Sequence, residues 1–218
     1  GHRIILGDVG IISGVLDTLE LSARASDFVI SRIDQLKNRN GLEQVMSEAT
    51  RYGLILSDGD DQKDQYTPST AVQNEAKLLL SEVINFSDTP IIGQRLPIEI
   101  IDRLISKMRK LDKPSNLRQA LQISGEISKV QGDIGSSISS VENILKEHGM
   151  GISVLDNLKQ LVKKLDGQDT IDISSVQLDF GLIRGLGYYT GMIFEIVCPD
   201  VSPPLAGGGR YDGLSKGL

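Results

Sequence analysis

Leu182–Leu214, LIRGLGYYTGMIFEIVCPDVSPPLAGGGRYDGL, is the stretch that the rest of the chain must accommodate. Within it Met192–Val197 is rich in β-branched and aromatic side chains and reads as a strand buried on at least one face. Pro199, Pro203 and Pro204 end that strand in a loop, and a second short strand begins near Leu205 and runs into Gly207, Gly208 and Gly209. A strand without side chains gives up packing, but it lets a bound molecule lie directly on the backbone. Arg210, Tyr211 and Asp212 add charge and hydrogen bonding at the edge of that space. Arginine brings five fixed donors suited to carboxylate or phosphate, and tyrosine a flat apolar body with a polar tip. The pattern predicts a pocket for a small, anionic, partly flat ligand. Each signal has a plainer reading by itself: a tyrosine pair packs a core, a glycine triplet makes a bulge, and Arg184 pairs with a surface acid. Their order and spacing favour the pocket.

Outward from this stretch the chain is mostly helix-patterned. Arg3–Leu6 reads as a short strand ending at Gly7–Asp8, with a pairing partner expected outside this sequence. Asp8 is positioned to cap a helix with apolar residues at Val9, Ile12, Leu16 and Leu19. Residues 22–53 continue as helix, with Ser26–Asp27 as a start signal and a break at Asn38–Gly41. The acidic run Ser57–Asp64 fails as a calcium loop: counting from Asp58, the positions that need glycine and glutamate hold Lys63 and Ser69. From Thr70 to His148 the pattern is helical and strandless, with Pro97 opening one helix and Ser115 capping another. Arg103, Lys107, Arg109, Lys110, Lys113 and Arg118 cluster there, but Asp102 and Asp112 interrupt them and no aromatic is interleaved for base stacking. A solvated, salt-bridged face is the better reading of that cluster. Ile152–Leu165 is an amphipathic helix, and Ile171–Leu178 is strand-like. Strands at both ends with helices between predict an α+β fold, a sheet core interrupted by a helical insertion. The expected division is 1–56 for the first part of the core, 57–150 for the insertion and 151–218 for the second part.

Composition removes several classes. A net charge of −6 gives no global attraction to nucleic acid. One cysteine, Cys198, cannot form an intramolecular disulfide, and with only His2 and His148 beside it no metal site is expected. No apolar run approaches the roughly 20 residues of a membrane-spanning helix, and no signal peptide is evident, so the expected location is cytoplasmic.

Leu182–Gly191 followed by Phe194–Glu195 resembles the first histidine-binding signature of the histidyl-tRNA synthetase family, and Ala206–Leu214 resembles the second. The same signatures occur in a synthetase-like paralogue without aminoacylation activity, the regulatory subunit of ATP phosphoribosyltransferase. The resemblance implies the antiparallel-sheet core of class II synthetases, cut to a fragment. It implies that Arg184 is the catalytic residue, facing the α-phosphate and the amino-acid carboxylate. Tyr188, Tyr189, Gly207, Gly208, Gly209, Tyr211 and Glu195 would bind the substrate: Tyr189 and Tyr211 bracket an imidazole, the glycines admit the adenylate, and Glu195 orders the shell.

Two functions follow from the resemblance. One is a fragment of a histidine--tRNA ligase that uses ATP with magnesium, binds histidine and tRNA(His), and works as a homodimer. That fragment itself would bind no cofactor and be inactive, for want of the motifs that hold ATP. The other is a fragment of the regulatory subunit, which senses histidine beside a catalytic phosphoribosyltransferase subunit. Intact Arg184, tyrosines and glycines favour the first. Gly187, where the synthetases carry an acid, and the opening Gly7-Asp8-Val9-Gly10 favour the second.

Overall fold

The computed structural model describes residues 1–55, 111–168, 172–183 and 189–212. The described part contains a five-stranded sheet and seven α-helices. The strands are β1 (Arg3–Asp8), β2 (Gln131–Gly132), β3 (Val176–Asp179), β4 (Met192–Cys198) and β5 (Val201–Gly209), in the spatial order β2-β3-β1-β4-β5. β1 pairs parallel with β3 and antiparallel with β4; the remaining ladders are antiparallel. The first strand therefore finds both of its partners within this chain and sits at the centre of the sheet, contrary to the expectation of a partner elsewhere. A parallel pair needs a long crossover, and the helical stretch between β1 and β3 supplies it.

Local chemistry fixes the helices. α1 (Val9–Thr18) starts where expected: Asp8 is extended, and its Oδ1 accepts the Gly10 amide at 2.8 Å. α2 (Ala23–Ser31) is capped by Ser22 rather than by Ser26–Asp27. The Ser22 hydroxyl accepts the Ala25 amide at 3.2 Å, and the Ser22 amide and hydroxyl donate to the buried Asp112 carboxylate at 2.7 and 2.6 Å. Asp112 thus serves as a structural anchor between distant segments. α3 (Ile33–Leu36) and α4 (Gly41–Arg51) follow on either side of the expected break. α5 (Pro114–Ile127) begins with proline in its first turn, α6 (Ile134–Glu147) is capped by Asp133, and Gly149 at φ +69° closes it. A 3-10 turn, Ser153–Leu155, leads into α7 (Asp156–Asp166).

α5 packs on α1, α3 and α4 within one buried cluster that includes Leu16, Ile33, Val45, Leu117 and Leu121. Residues 111–150, expected to be strandless, contain β2, which pairs with β3 through Gln131–Asp179 and Gly132–Leu178. The acidic loop, the helix opened by Pro97 and most of the basic cluster lie outside the described residues. Of that cluster, Arg118 forms an ion pair with Glu43 across α5 and α4.

Strand alternation gives the sheet two unlike faces. Register partners Leu6, Leu178 and Phe194 share one face with Val176, and this face lies against the helices. On the other face, Gln177, Ile5, Glu195 and Gly207 form one row across β3, β1, β4 and β5. All four are at least partly accessible.

Candidate functional site

The candidate site lies on this second face, at the end of the sheet where β4 starts and β5 finishes. β4 and β5 are joined by Pro199–Asp200, because Cys198 pairs with Val201. The expected proline-rich loop is therefore shorter than predicted. Pro203 and Pro204 lie inside β5, tolerated there because among the described residues β5 ends the sheet. A register shift between Ile196 and Cys198 absorbs the extra residues of β5.

From Ile196–Ala206 onward the pairing is regular, so Glu195 faces Gly207, Phe194 faces Gly208, and Ile193 faces Gly209. The three glycines therefore divide between the two faces. Gly207 and Gly209 share the open face with Glu195. Gly208 points to the helix side, where a Cβ would stand 3.0 Å from the Phe194 ring. Its lack of a side chain makes room for that ring, not for a ligand on the open face. At Gly209 a Cβ would stand 2.7 Å from Tyr189 Cδ1 and 2.8 Å from the Met192 carbonyl. Tyr189 therefore packs directly on bare backbone, as only glycine allows.

Tyr211 completes this group. Its ring centroid is 6.4 Å from that of Tyr189, with the planes inclined at 57°, and the residue is 52% exposed. Two tyrosines, the Gly207–Gly209 backbone and Glu195 therefore line one half-open surface. Arg184 and Tyr188 lie outside the described residues.

The approach to this surface is tightly held. After β3 the chain turns at Asp179–Ile183: Leu182 N–H donates to the Asp179 carbonyl at 3.1 Å, and Gly181 N–H to Asp179 Oδ1 at 2.8 Å. A Cβ on Gly7 would be 2.9 Å from the Asp179 carbonyl and 3.0 Å from that of Leu182. This turn therefore crosses β1 on the same face as the tyrosines, and roofs one end of it. Gly7 and the nearby Ile193, 5% exposed, lie beneath.

Three polar residues escaped the sequence reading. Thr190 stitches the two signatures together: its amide donates to the Arg210 carbonyl at 2.8 Å, and its Oγ1 accepts the Asp212 amide at 3.1 Å. Asp8, read only as a cap, faces the same junction, since the Val9 amide donates to the Gly191 carbonyl at 3.1 Å. Burial pushes the Asp8 carboxyl above the usual carboxylate range, against the opposing effects of the Gly10 amide and the Arg210 charge. Arg210 itself pairs with Asp212 at 2.7 Å, a hydrogen bond that holds its guanidinium charged. Gln177 shares a row with Glu195; the alternation of β3, buried at Val176 and Leu178, is the signal that points to it.

Chemically this surface can pack a flat ring against the tilted tyrosine pair, hydrogen-bond its edge through phenol and carboxylate oxygens, and bring a ligand against strand backbone. Among the described residues no three acidic, histidine or cysteine side chains converge as metal ligands. No described helix is long and apolar enough to cross a membrane.

The sequence profile of a family described as Histidyl-tRNA synthetase matches residues 100–218, more than half of the chain. The histidine--tRNA ligase of Sulfolobus acidocaldarius is 62% identical over 222 residues, covering 99% of this chain and 40% of that protein. An ATP phosphoribosyltransferase regulatory subunit from Brucella anthropi is 26% identical over 224 residues, covering 97% of this chain and 55% of the relative. Among solved structures, one from Bacillus halodurans, titled as an ATP phosphoribosyltransferase regulatory subunit/histidyl-tRNA synthetase, aligns over 97% of this chain and 37% of its own. Its TM-score is 0.42 and its identity 12%. The chain spans about two fifths of the length of the first ligase relatives it matches.

Proposed function

The chain belongs to the histidyl-tRNA synthetase family, and from that premise we propose that it forms the histidine-binding wall of a histidine--tRNA ligase. The observation that supports this most is the placement of Tyr189 against the bare Gly209 backbone on the accessible sheet face, with the Tyr211 ring 6.4 Å away. An imidazole is flat and carries a polar edge, and the two phenol rings match both properties. Glu195, in the same row as Gly207, orders the polar side of the pocket.

In this reading the histidine carboxylate attacks the α-phosphate of ATP and pyrophosphate leaves. A carboxylate is already a competent nucleophile, so no general base is needed. Arg184 is assigned to the negative charge that builds at the α-phosphate, a role that the resemblance supplies. Magnesium would accompany the ATP phosphates and supply charge neutralisation there. The histidyl group then passes to tRNA(His). Homodimerisation and a cytoplasmic location belong to the same proposal.

The second reading is a regulatory subunit that binds histidine without activating it, beside a catalytic phosphoribosyltransferase subunit. Gly187 and the 26% identity to the Brucella anthropi regulatory subunit favour it.

Histidine-dependent ATP–pyrophosphate exchange by the full-length protein separates the two. The ligase reading expects exchange, and expects Arg184→Ala to lower it by roughly a hundredfold or more with an unchanged melting temperature. Absence of exchange in the wild type, with histidine altering the activity of a partner transferase, would establish the regulatory reading instead. If Arg184→Ala unfolds the protein and leaves histidine affinity per folded molecule unchanged, Arg184 is structural.

A further inference from the structure

We propose that Lys37 is a positioning residue for the histidine site, acting through the Asp179–Ile183 turn. The inference presupposes the histidine site proposed above and extends it to a residue on the far side of the fold.

Lys37 follows α3, and 144 positions separate it from Gly181 in sequence. Its ammonium donates to Asp34 Oδ1 at 2.9 Å and to the Gly181 carbonyl at 3.1 Å. The first contact anchors the side chain on its own helical segment; the second reaches the turn that roofs the sheet face. The Gly181 carbonyl also accepts the Ile183 amide at 2.9 Å, an i to i+2 bond within the turn. A carbonyl has two acceptor positions, and Lys37 fills the one that the tight turn leaves.

The space confirms how closely these groups fit. A Cβ on Gly181 would come 2.4 Å from the Ser128 carbonyl, 2.7 Å from Lys37 Nζ and 2.8 Å from Lys37 Cε. The turn is thus wedged between the end of α5 and the lysine. On its other flank the Phe180 amide donates to the Val130 carbonyl at 3.1 Å. The path from Gly181 leads through Leu182, whose carbonyl and Cβ press on Gly7, to Ile183 and into the first signature. A shift at Gly181 therefore moves the chain where it crosses the open face. Among the described residues Lys37 hydrogen-bonds to Asp34 and Gly181 and not to Tyr189, Tyr211 or the glycine triplet, so its effect on a ligand is indirect.

The test uses the full-length protein with Lys37→Met, Lys37→Arg and Asp34→Asn, and with Lys146→Met as a control at an exposed ion pair remote from the turn. Pyrophosphate exchange gives KM for histidine and kcat, and thermal melts report folding. The charged hydrogen bond at stake predicts that Lys37→Met raises the histidine KM about tenfold, with KM for ATP unmoved. Lys37→Arg, which keeps a charged donor, restores the histidine KM to within roughly threefold of wild type, and Asp34→Asn gives a smaller rise of the same kind. If Lys37→Met does not fold, Asp34→Asn carries the test, because it loosens the anchor and leaves the lysine in place. Unchanged kinetics in the variants, or loss of rate in proportion to the unfolded fraction at constant KM, would overturn the proposal. Should the wild type show no exchange, the ligase reading fails and histidine affinity measured by calorimetry decides the role of Lys37. Weaker binding by Lys37→Met then upholds it; equal affinity, or no binding by either protein, overturns it.

Discussion

The two faces of the sheet use the same strands for opposite ends. On β3, Leu178 is 1% exposed beneath the helices, while its neighbour Gln177 looks out on the accessible face. On β5, Gly208 yields its space to Phe194 on the helix side, and Gly209 yields its space to Tyr189 on the other. The helix side is governed by volume: Leu6, Val176 and Leu178 fill it with apolar side chains. The tyrosine side is governed by omission, with side chains absent where backbone must be approached. One face is thus filled by side chains, and the other leaves strand backbone within reach. A difference this sharp between adjacent residues can be broken by substitution.

The largest effect belongs to the buried face. Leu178→Ala should cost about 2–5 kcal/mol in denaturant unfolding, while Gln177→Ala stays within about 0.5 kcal/mol. Equal costs would mean that the second face is as closely packed as the first. Next comes Gly209→Ala, whose added methyl meets both the Tyr189 ring and the Met192 carbonyl. It should destabilise by about 1–3 kcal/mol and also weaken histidine binding per folded molecule, as measured by calorimetry. A loss of stability without loss of affinity would separate Tyr189 from the ligand.

The smallest effect concerns Asp8. Burial raises its carboxyl in the folded state, so between the ordinary carboxylate value and the raised one the folded form holds more protons than the unfolded form. Stability from this group consequently falls as pH rises through that window. Asp8→Asn keeps a good helix cap and removes the slope. Its stability relative to wild type should therefore increase as pH is raised through the acidic range, as followed by urea titrations at several pH values. The exposed Asp133, lowered chiefly by the Ser136 hydroxyl, has the opposite sign: its contribution is lost as pH falls.

Much of the sheet was legible because its signals are local. β4 announces itself through Ile193, Phe194, Ile196 and Val197, and the Asp8 cap through its position just before an apolar helical stripe. What escaped the reading is encoded between distant segments. Nothing near Ile5 says that it will face Gln177, and a strand as short as Gln131–Gly132 carries no periodicity. Ser22 outcompetes Ser26 as the cap of α2 with help from Asp112, which sequence distance conceals. At the site, the roles expected of Tyr189, Tyr211, Gly207, Gly209 and Glu195 rest on the resemblance to the family's signatures. A motif has no faces, so it groups Gly208 with its neighbours, and only the register against Phe194 separates it.

β5 carries Val201 and Leu205 in the open, 49% and 57% exposed, along the last edge of the described sheet. An apolar edge of this kind invites strand-to-strand aggregation. Pro203 and Pro204 both lack an amide donor, and because successive amides point to opposite sides of a strand one of these gaps falls on that edge, beside the register shift. Among the described residues the ladder along this edge is therefore interrupted. The same irregularity that shortens the hairpin loop thus also makes this edge a poorer template for another strand.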